Sequence, residues 1–294
     1  MTSTRTSARI TRRLTHVVAI AGVATFALVG CSTSTTESAV ASDCTPVDDG
    51  LTTYTEGTLT VGVPENPPYT QTSGSDASGL EIDIVRELAA AECLDLAFVP
   101  ITYANGIPMI SEQKRTDMIT GGWYVTEARA EQVGFTSPTY YDSMAIVSKE
   151  GIDTVEGLEG LGDVGSGAGF SWEADMTTLL GGSLKSYPGT VEMKQDLTNG
   201  RIEAALDGYG VAVNAYAGTD FKVEVAKADP RVAITTSMPI SAFPIAKENT
   251  DLADAFSALI DGYREDGTLA SFLEDYDLTS ELVIPADVAA TSLR

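Results

Sequence analysis

The sequence predicts an α/β protein, and three observations predict it. Segments with the two-residue period of a strand alternate with segments of helical period from Thr58 to about residue 147. A glycine-rich passage, with seven glycines from Gly151 to Gly169, then gives way to a second α/β unit. The chain has 294 residues, room for one large domain or two smaller ones, and shows no internal repeat.

The elements follow in order. Thr58-Leu59-Thr60-Val61-Gly62-Val63 alternates and reads as a strand. Pro64 to Ser78 is rich in Pro, Gly and Ser and reads as loop. Ile82 to Cys93 has helical spacing, Leu94, Leu96 and Phe98 alternate, and Ile107 to Gln113 is a short helix. Met118-Ile119-Thr120 is a strand broken by Gly121-Gly122, and Met144-Ala145-Ile146-Val147 is another. The sheet is expected to be largely parallel. The second unit runs through Leu197 to Leu206 and Val223 to Ala226, and Pro239 to Ala246 reads as one strand. Leu252, Ala255, Phe256, Leu259, Ile260 and Tyr263 mark an amphipathic helix that Asp266-Gly267 stops, and a further helix begins at Leu269.

Charge excludes several functions. Lys+Arg is 18 against Asp+Glu 42, a formal net charge of −24, and the early charges (Arg5, Arg9, Arg12, Arg13) are all basic. Beyond residue 30, 14 basic residues face 42 acidic ones. No basic face is left for nucleic acid or for an anionic membrane surface. The acidity reads as a solubility surface or as steering for a cationic ligand. The only histidine is His16. Without it there is no Ser-His-Asp or Cys-His system and no His-ligated zinc.

Residues 1–30 read as a signal peptide: a basic flank, then an apolar run from Val17 to Gly30, too short for an ordinary membrane span. Leu28-Val29-Gly30-Cys31 resembles a bacterial lipobox, which implies that Cys31 takes a lipid and becomes the N-terminus. Residues 31–55, opening with the polar tract Ser32 to Ser38, read as a tether. Extracytoplasmic, lipid-anchored placement follows. Cys44 and Cys93 remain. In an exported chain they read as one disulfide, which would pin the segment before the first strand, or as two separate thiols.

Four stretches then resemble one family. Gly79-Leu80-Glu81-Ile82-Asp83-Ile84 is similar to a Gly-apolar-Asp-apolar-Asp-apolar helix entry, with Glu81 in place of the first Asp. Thr126 to Tyr141, TEARAEQVGFTSPTYY, is similar to a "TPERAKQVDFSDPYY" stretch. Leu197 to Ala205 contains the Gly200-Arg201-Ile202-Glu203 passage, and Tyr263 to Leu269 resembles a "DGTL" helix. Together, over about residues 56–277, they resemble the extracytoplasmic solute-binding proteins of ABC transporters, in the amino-acid-binding branch called family 3. The resemblance implies a two-lobe clamshell of the periplasmic-binding-protein type with two hinge crossings. Lobe one would be residues 56–146 and 237–294, and lobe two residues 147–236.

The resemblance also implies a cleft. The family's carboxylate-binding Arg falls on Arg129, with Thr126 at the helix entry, and Arg is well suited to bidentate carboxylate recognition. Tyr69 and Tyr103 fall where relatives flank the ligand with aromatic rings, and Gly122, Trp123 and Tyr124 where relatives make backbone contacts. Tyr69 and Trp123 read equally as core. Gly165-Ser166-Gly167-Ala168-Gly169-Phe170-Ser171 is similar to the lobe-two turn that binds carboxylate, which places Gly167, Ala168 and Phe170 at the ligand. The family's ammonium-binding Asp falls on Gly208, and the acid stands one residue earlier, at Asp207. A one-residue step reverses a strand side chain. Either a bulge brings Asp207 into the cleft, or the ammonium is read differently and Phe170, Trp172 and Tyr209 make the site aromatic.

The expected function is capture of a small carboxylate-bearing solute, an amino acid or derivative, for a membrane ABC permease. No cofactor, metal or nucleic acid is implied, and the chain reads as a monomer. The alternatives are a ligand sensor acting through a membrane partner, and a dehydratase of cyclic acids on the same fold with Glu65 or Asp207 as general acid.

Overall fold

The computed structural model describes residues 40–288 apart from Ser42, so the signal segment, Cys31 and the first part of the tether lie outside the described residues. Strand β1 (Thr58–Val63) buries Leu59, Val61 and Val63 completely. The stretch read as loop after it contains a hairpin, β2 (Gln71–Ser73) and β3 (Asp76–Ser78), turned over Gly74-Ser75 with Gly74 at φ +64°. Its residues are mostly polar and exposed, so no apolar alternation marked it. Helix α1 (Leu80–Ala91) lays Leu80, Ile84, Val85 and Leu88 into the core. Then come β4 (Asp95–Pro100), α2 (Tyr103–Ser111), β5 (Met118–Ile119), α3 (Glu127–Ala130) and β6 (Gly134–Phe135). Helix α2 starts four residues before the apolar run because Thr102 and Asn105 form a reciprocal cap at its entry.

The chain then enters a second sheet with β7 (Met144–Ser148) and continues through α4 (Val155–Glu159), β8 (Val164–Gly167), α5 (Glu173–Leu180), β9 (Leu184–Tyr187), α6 (Thr190–Thr198), β10 (Ala204–Gly208), α7 (Tyr209–Ala215) and β11 (Lys222–Val225). It returns with β12 (Pro244–Ile245), α8 (Thr250–Asp266) and α9 (Thr268–Asp275). Asn249 caps α8, and Gly267, in the left-handed region, ends it.

The first sheet has the order β4-β1-β5-β12-β6 and the second β11-β7-β10-β8-β9. Neither is largely parallel. Strands β4, β1 and β5 run parallel, as do β10, β8 and β9, while β12 and β7 each run antiparallel to both of their neighbours. The antiparallel members include the two strands on which the chain enters each sheet from the other. The single strand expected over Pro239–Ala246 is interrupted. It is extended, but Ile240 bridges Tyr141, Ser241 bridges Tyr124, and only Pro244–Ile245 joins the sheet.

Cys44 and Cys93 are disulfide-bonded, with Cα atoms 5.8 Å apart. The segment after Cys44 lies along the end of α1: Val47 N–H donates to Ala91 O at 3.1 Å and Asp48 N–H to Glu92 Oε2 at 2.9 Å. The bond closes a loop with a sequence separation of 49. Replacing both cysteines by serine is expected to lower the urea-unfolding free energy by about 2–4 kcal/mol. Reducing agent should reproduce the loss in the unmodified protein and leave the variant unchanged.

Candidate functional site

Among the cavities that the described residues line from both sheets' sides, the one that gathers charges of both signs is the candidate site. The first-sheet side supplies Asn66, Tyr69, Tyr103, Gly122, Tyr124 and Arg129. The second-sheet side supplies Phe170, Ser171, Trp172, Asp207, Gly208 and Val211, and the crossing between β6 and β7 supplies Asp142.

Among the described residues, Arg129 is the only basic one lining it. Thr126 caps α3, its hydroxyl accepting from the Arg129 N–H at 3.3 Å, which fixes the backbone from which the side chain springs. The guanidinium lies 4.7 Å from the ring centre of Trp123. Nη1 donates to Tyr124 O at 2.9 Å and Nη2 to Gly169 O at 3.2 Å. Burial pulls its pKa down to about 10, so it remains a cation at neutral pH. Thr126 and Trp123 therefore support Arg129 from behind and do not line the cavity. Trp123 is fully buried, its indole N–H bonded to Thr120 O at 2.8 Å.

Behind the first-sheet wall stands a buried carboxylate, Glu81. It accepts from the N–H of Gly121, from the N–H of Gly122 at 3.0 Å and from Tyr140 OH at 2.5 Å. Burial raises its pKa, and these three donors oppose the rise. Gly121 and Gly122 both have positive φ, and the Glu81 carboxylate clamps that turn. Tyr103 OH and Asn66 Nδ2 both donate to Gly121 O. Tyr69 stacks on Tyr140 at 5.1 Å. Its hydroxyl is buried and has no hydrogen-bond partner.

The second-sheet turn differs from expectation. Gly167 ends β8, and Gly167 and Ala168 do not line the cavity. The Ala168 N–H donates to Tyr187 O at 2.8 Å, Gly169 N–H to Glu173 Oε2 at 2.7 Å and Phe170 N–H to Gly167 O at 3.2 Å. The N–H groups of Ala168 and Phe170, expected at the ligand, and that of Gly169 between them are thus bonded within the lobe. Gly169 instead approaches the first lobe. Its φ is +83°, and a Cβ there would stand 2.7 Å from Tyr103 C and Ala104 N. Beside it the Phe170 ring meets Tyr103 edge-on at 4.9 Å. Trp172 lines the cavity with its indole N–H on Ser166 Oγ at 3.1 Å, whereas Tyr209 faces outward.

Strand β10 pairs with β7 in unbroken register to Gly208↔Met144, so no bulge is present. Asp207 therefore shares the face of Ala205, toward α6, where Oδ2 accepts from Thr190 Oγ1 at 2.6 Å and Oδ1 from Gly208 N–H at 2.9 Å. It still lines one end of the cavity. Asp142 was not anticipated. It lies outside every helix and strand, just before β7. Oδ2 accepts from Tyr124 OH at 2.9 Å, and Oδ1 accepts from Ser143 N–H at 2.8 Å and Gly210 N–H at 3.4 Å. The only signal for it in the sequence is the missing acid at position 208.

Seven of the expected residues therefore meet at the cavity: Tyr69, Tyr103, Gly122, Tyr124, Arg129, Phe170 and Asp207. Two α/β lobes on mixed sheets, with a charged interlobe cavity, define a two-lobe periplasmic-binding-protein fold. The chain belongs to the bacterial extracellular solute-binding proteins, family 3, matched over residues 59–279. It is 28% identical over 222 residues to the histidine-binding periplasmic protein of Escherichia coli K12, covering 71% of this chain and 83% of that one. Among solved structures it resembles an ancestral arginine-binding protein bound to arginine (25% identity, TM-score 0.64, 75% and 98% of the two chains). It also resembles the amino acid ABC transporter substrate-binding protein AbpA of Streptococcus pneumoniae bound to L-arginine in fold (22% identity, TM-score 0.66, 75% and 94%).

Burial pushes Asp142 up to about 6 and Asp207 up to about 7, from an ordinary 3.8. Between the unfolded and folded values each carboxyl binds more proton when folded, so its contribution to stability falls as pH rises from about 4 to about 7. The ligand-free protein is expected to be more stable at about pH 5 than at about pH 7.5, by on the order of 2–4 kcal/mol in urea unfolding. Asp142→Asn and Asp207→Asn should each flatten that slope.

Proposed function

We propose that this protein captures a basic amino acid between its lobes and delivers it to an ABC permease, with Arg129 holding the ligand's carboxylate. The observation that carries the reading is the pairing of Arg129. Its guanidinium faces the cavity, and its hydrogen bonds go to two neutral backbone carbonyls. A carboxylate offers the same fork of donors a far stronger, charged partner. The basic character of the ligand follows from charge. Asp142 and Asp207 line the cavity against one Arg. A ligand carrying one carboxylate and two cationic groups leaves the closed site neutral with both acids ionised, its second cation opposing the upward pull of burial on Asp207, whereas a zwitterion is balanced only with Asp207 protonated. Relatives named for histidine and for lysine, arginine and ornithine support the same class. In this reading residues 56–146 with 237–294 act as one lobe and 147–236 as the other. Thr126 and Trp123 position Arg129, and the aromatic rings of Tyr69, Tyr103 and Phe170 cover the ligand.

The lipobox-like Leu28-Val29-Gly30-Cys31 supports anchoring by a lipid on Cys31, with the segment before Cys44 spanning the gap to the membrane, since the disulfide and the bonds of Val47, Asp48 and Tyr54 hold residues 44–55 on the first lobe. Cells expressing the protein should incorporate labelled palmitate into it, and Cys31→Ala should abolish labelling and release the protein into the soluble extracytoplasmic fraction.

Ligand binding is checked by thermal shift with L-arginine, L-lysine and L-histidine. A ligand at about 100 times its Kd stabilises the folded state by about 2.7 kcal/mol and raises Tm accordingly. Arg129→Ala is expected to weaken binding by about 100-fold or more, and the decarboxylated amines should give no shift. Failure of every amino acid to shift the unmodified protein overturns the reading.

A further inference from the structure

Position 208 carries no side chain, yet the space beside it is occupied by a carboxylate. A Cβ on Gly208 would stand 2.9 Å from Asp142 Oδ2 and 3.5 Å from Tyr124 OH. Gly208 lies on the face of β10 that Leu206 shares, opposite to the face of Asp207. The Asp142 carboxylate therefore reaches the cavity on the Gly208 side, where Asp207 does not point. Backbone strain does not demand the glycine, since Gly208 has φ −64°. Its lack of a side chain is what leaves room for Asp142.

Two further observations point to a missing cationic partner there. Asp142 is 6% exposed, and its hydrogen bonds come from two backbone N–H groups and one tyrosine, with no cation among them. Tyr69, 1% exposed, holds its hydroxyl against Gly210, whose N–H bonds Asp142, and the acid that hydroxyl faces is Asp142 itself, which leaves the lone pairs of the hydroxyl oxygen unused. An ammonium has three donors and needs acceptors around it. Asp142 Oδ2 and the Tyr69 hydroxyl oxygen both have acceptor capacity to spare.

We infer that Asp142, contributed by the crossing into the second lobe, is the ligand's α-ammonium partner, doing from another segment what a side chain at position 208 would do. The inference rests on the amino-acid reading above and assigns one of its contacts. Gly208 and Asp142 then form a coupled pair: the acid stands at one position or the other, and the space admits only one.

The test is titration calorimetry of the full chain in mild detergent. The probes are L-arginine, L-lysine and L-histidine with their des-amino analogues, 5-guanidinopentanoate, 6-aminohexanoate and imidazolepropionate. The unmodified protein is expected to prefer an amino acid over its analogue by about 100-fold, the scale of one buried charge pair. Asp142→Asn should bring the amino acid down to the level of the analogue and leave the analogue's affinity unchanged. The double variant Asp142→Ser, Gly208→Asp should restore the preference. Gly208→Ala keeps all charges and presses on Oδ2, and should weaken the amino acid more than the analogue. If the amino acid binds the unmodified protein, and Asp142→Asn and Gly208→Ala both keep the full preference, the inference is overturned while the amino-acid reading stands. Loss of the preference in Asp207→Asn alone has the same meaning. If none of the three amino acids binds, both readings fall together.

Discussion

A guanidinium taken out of bulk water has to be surrounded by oxygen or by π-electron density, and the site is organised around meeting that demand for Arg129. Trp123 offers a ring face, Tyr124 a carbonyl from the first lobe and Gly169 a carbonyl from the second. The second carbonyl is available only because the lobes touch. In this structure the cation is therefore part of what joins them. Its neutral partners are weaker than the charged one that a ligand carboxylate supplies. In the proposed reading the residue that binds is thus also placed to report binding, since one of its present partners, Gly169 O, belongs to the other lobe.

Closure is carried by a small number of contacts. The Phe170 ring abuts Tyr103, and the Tyr103 hydroxyl is bonded to Gly121 O in the turn that Glu81 clamps from behind. This chain of rigid pieces runs from the core of α1 to the tip of the second lobe. A ligand favours the closed arrangement only to the extent that it binds both lobes better together than one alone. In the proposed reading, Arg129 from the first lobe and Asp142 at the crossing are the two groups that make this difference.

The elements with buried apolar periodicity were legible in the sequence: β1 through Leu59, Val61 and Val63, and α8 through Leu252, Phe256 and Ile260. The β2–β3 hairpin was not, because its strands are three residues long and mostly polar. The passage from Pro239 to Ala246 is extended as its composition indicates. What composition does not encode is that its partners change from Tyr141 to Tyr124 to β5 and β6. At the site, motif position located Arg129 and the aromatic residues. It did not reveal that the backbone donors after β8 are bonded within their own lobe, or that Asp142 lies against position 208. Both depend on contacts between segments far apart in the chain. Asp142 and Gly208 are 66 positions apart, a separation that local pattern does not bridge.

The close approach of Gly169 to the backbone of Tyr103 and Ala104 has a consequence for how such a receptor could be held in one state. With no Cβ at Gly169, two main chains from the two lobes come within contact distance. A single methyl group at position 169 would act as a doorstop: too small to disturb either lobe's own core, yet placed where it props the two jaws ajar. The sensitivity of the clamshell is thus concentrated in the width of one carbon atom, at a residue whose own carbonyl and N–H are held by Arg129 and Glu173.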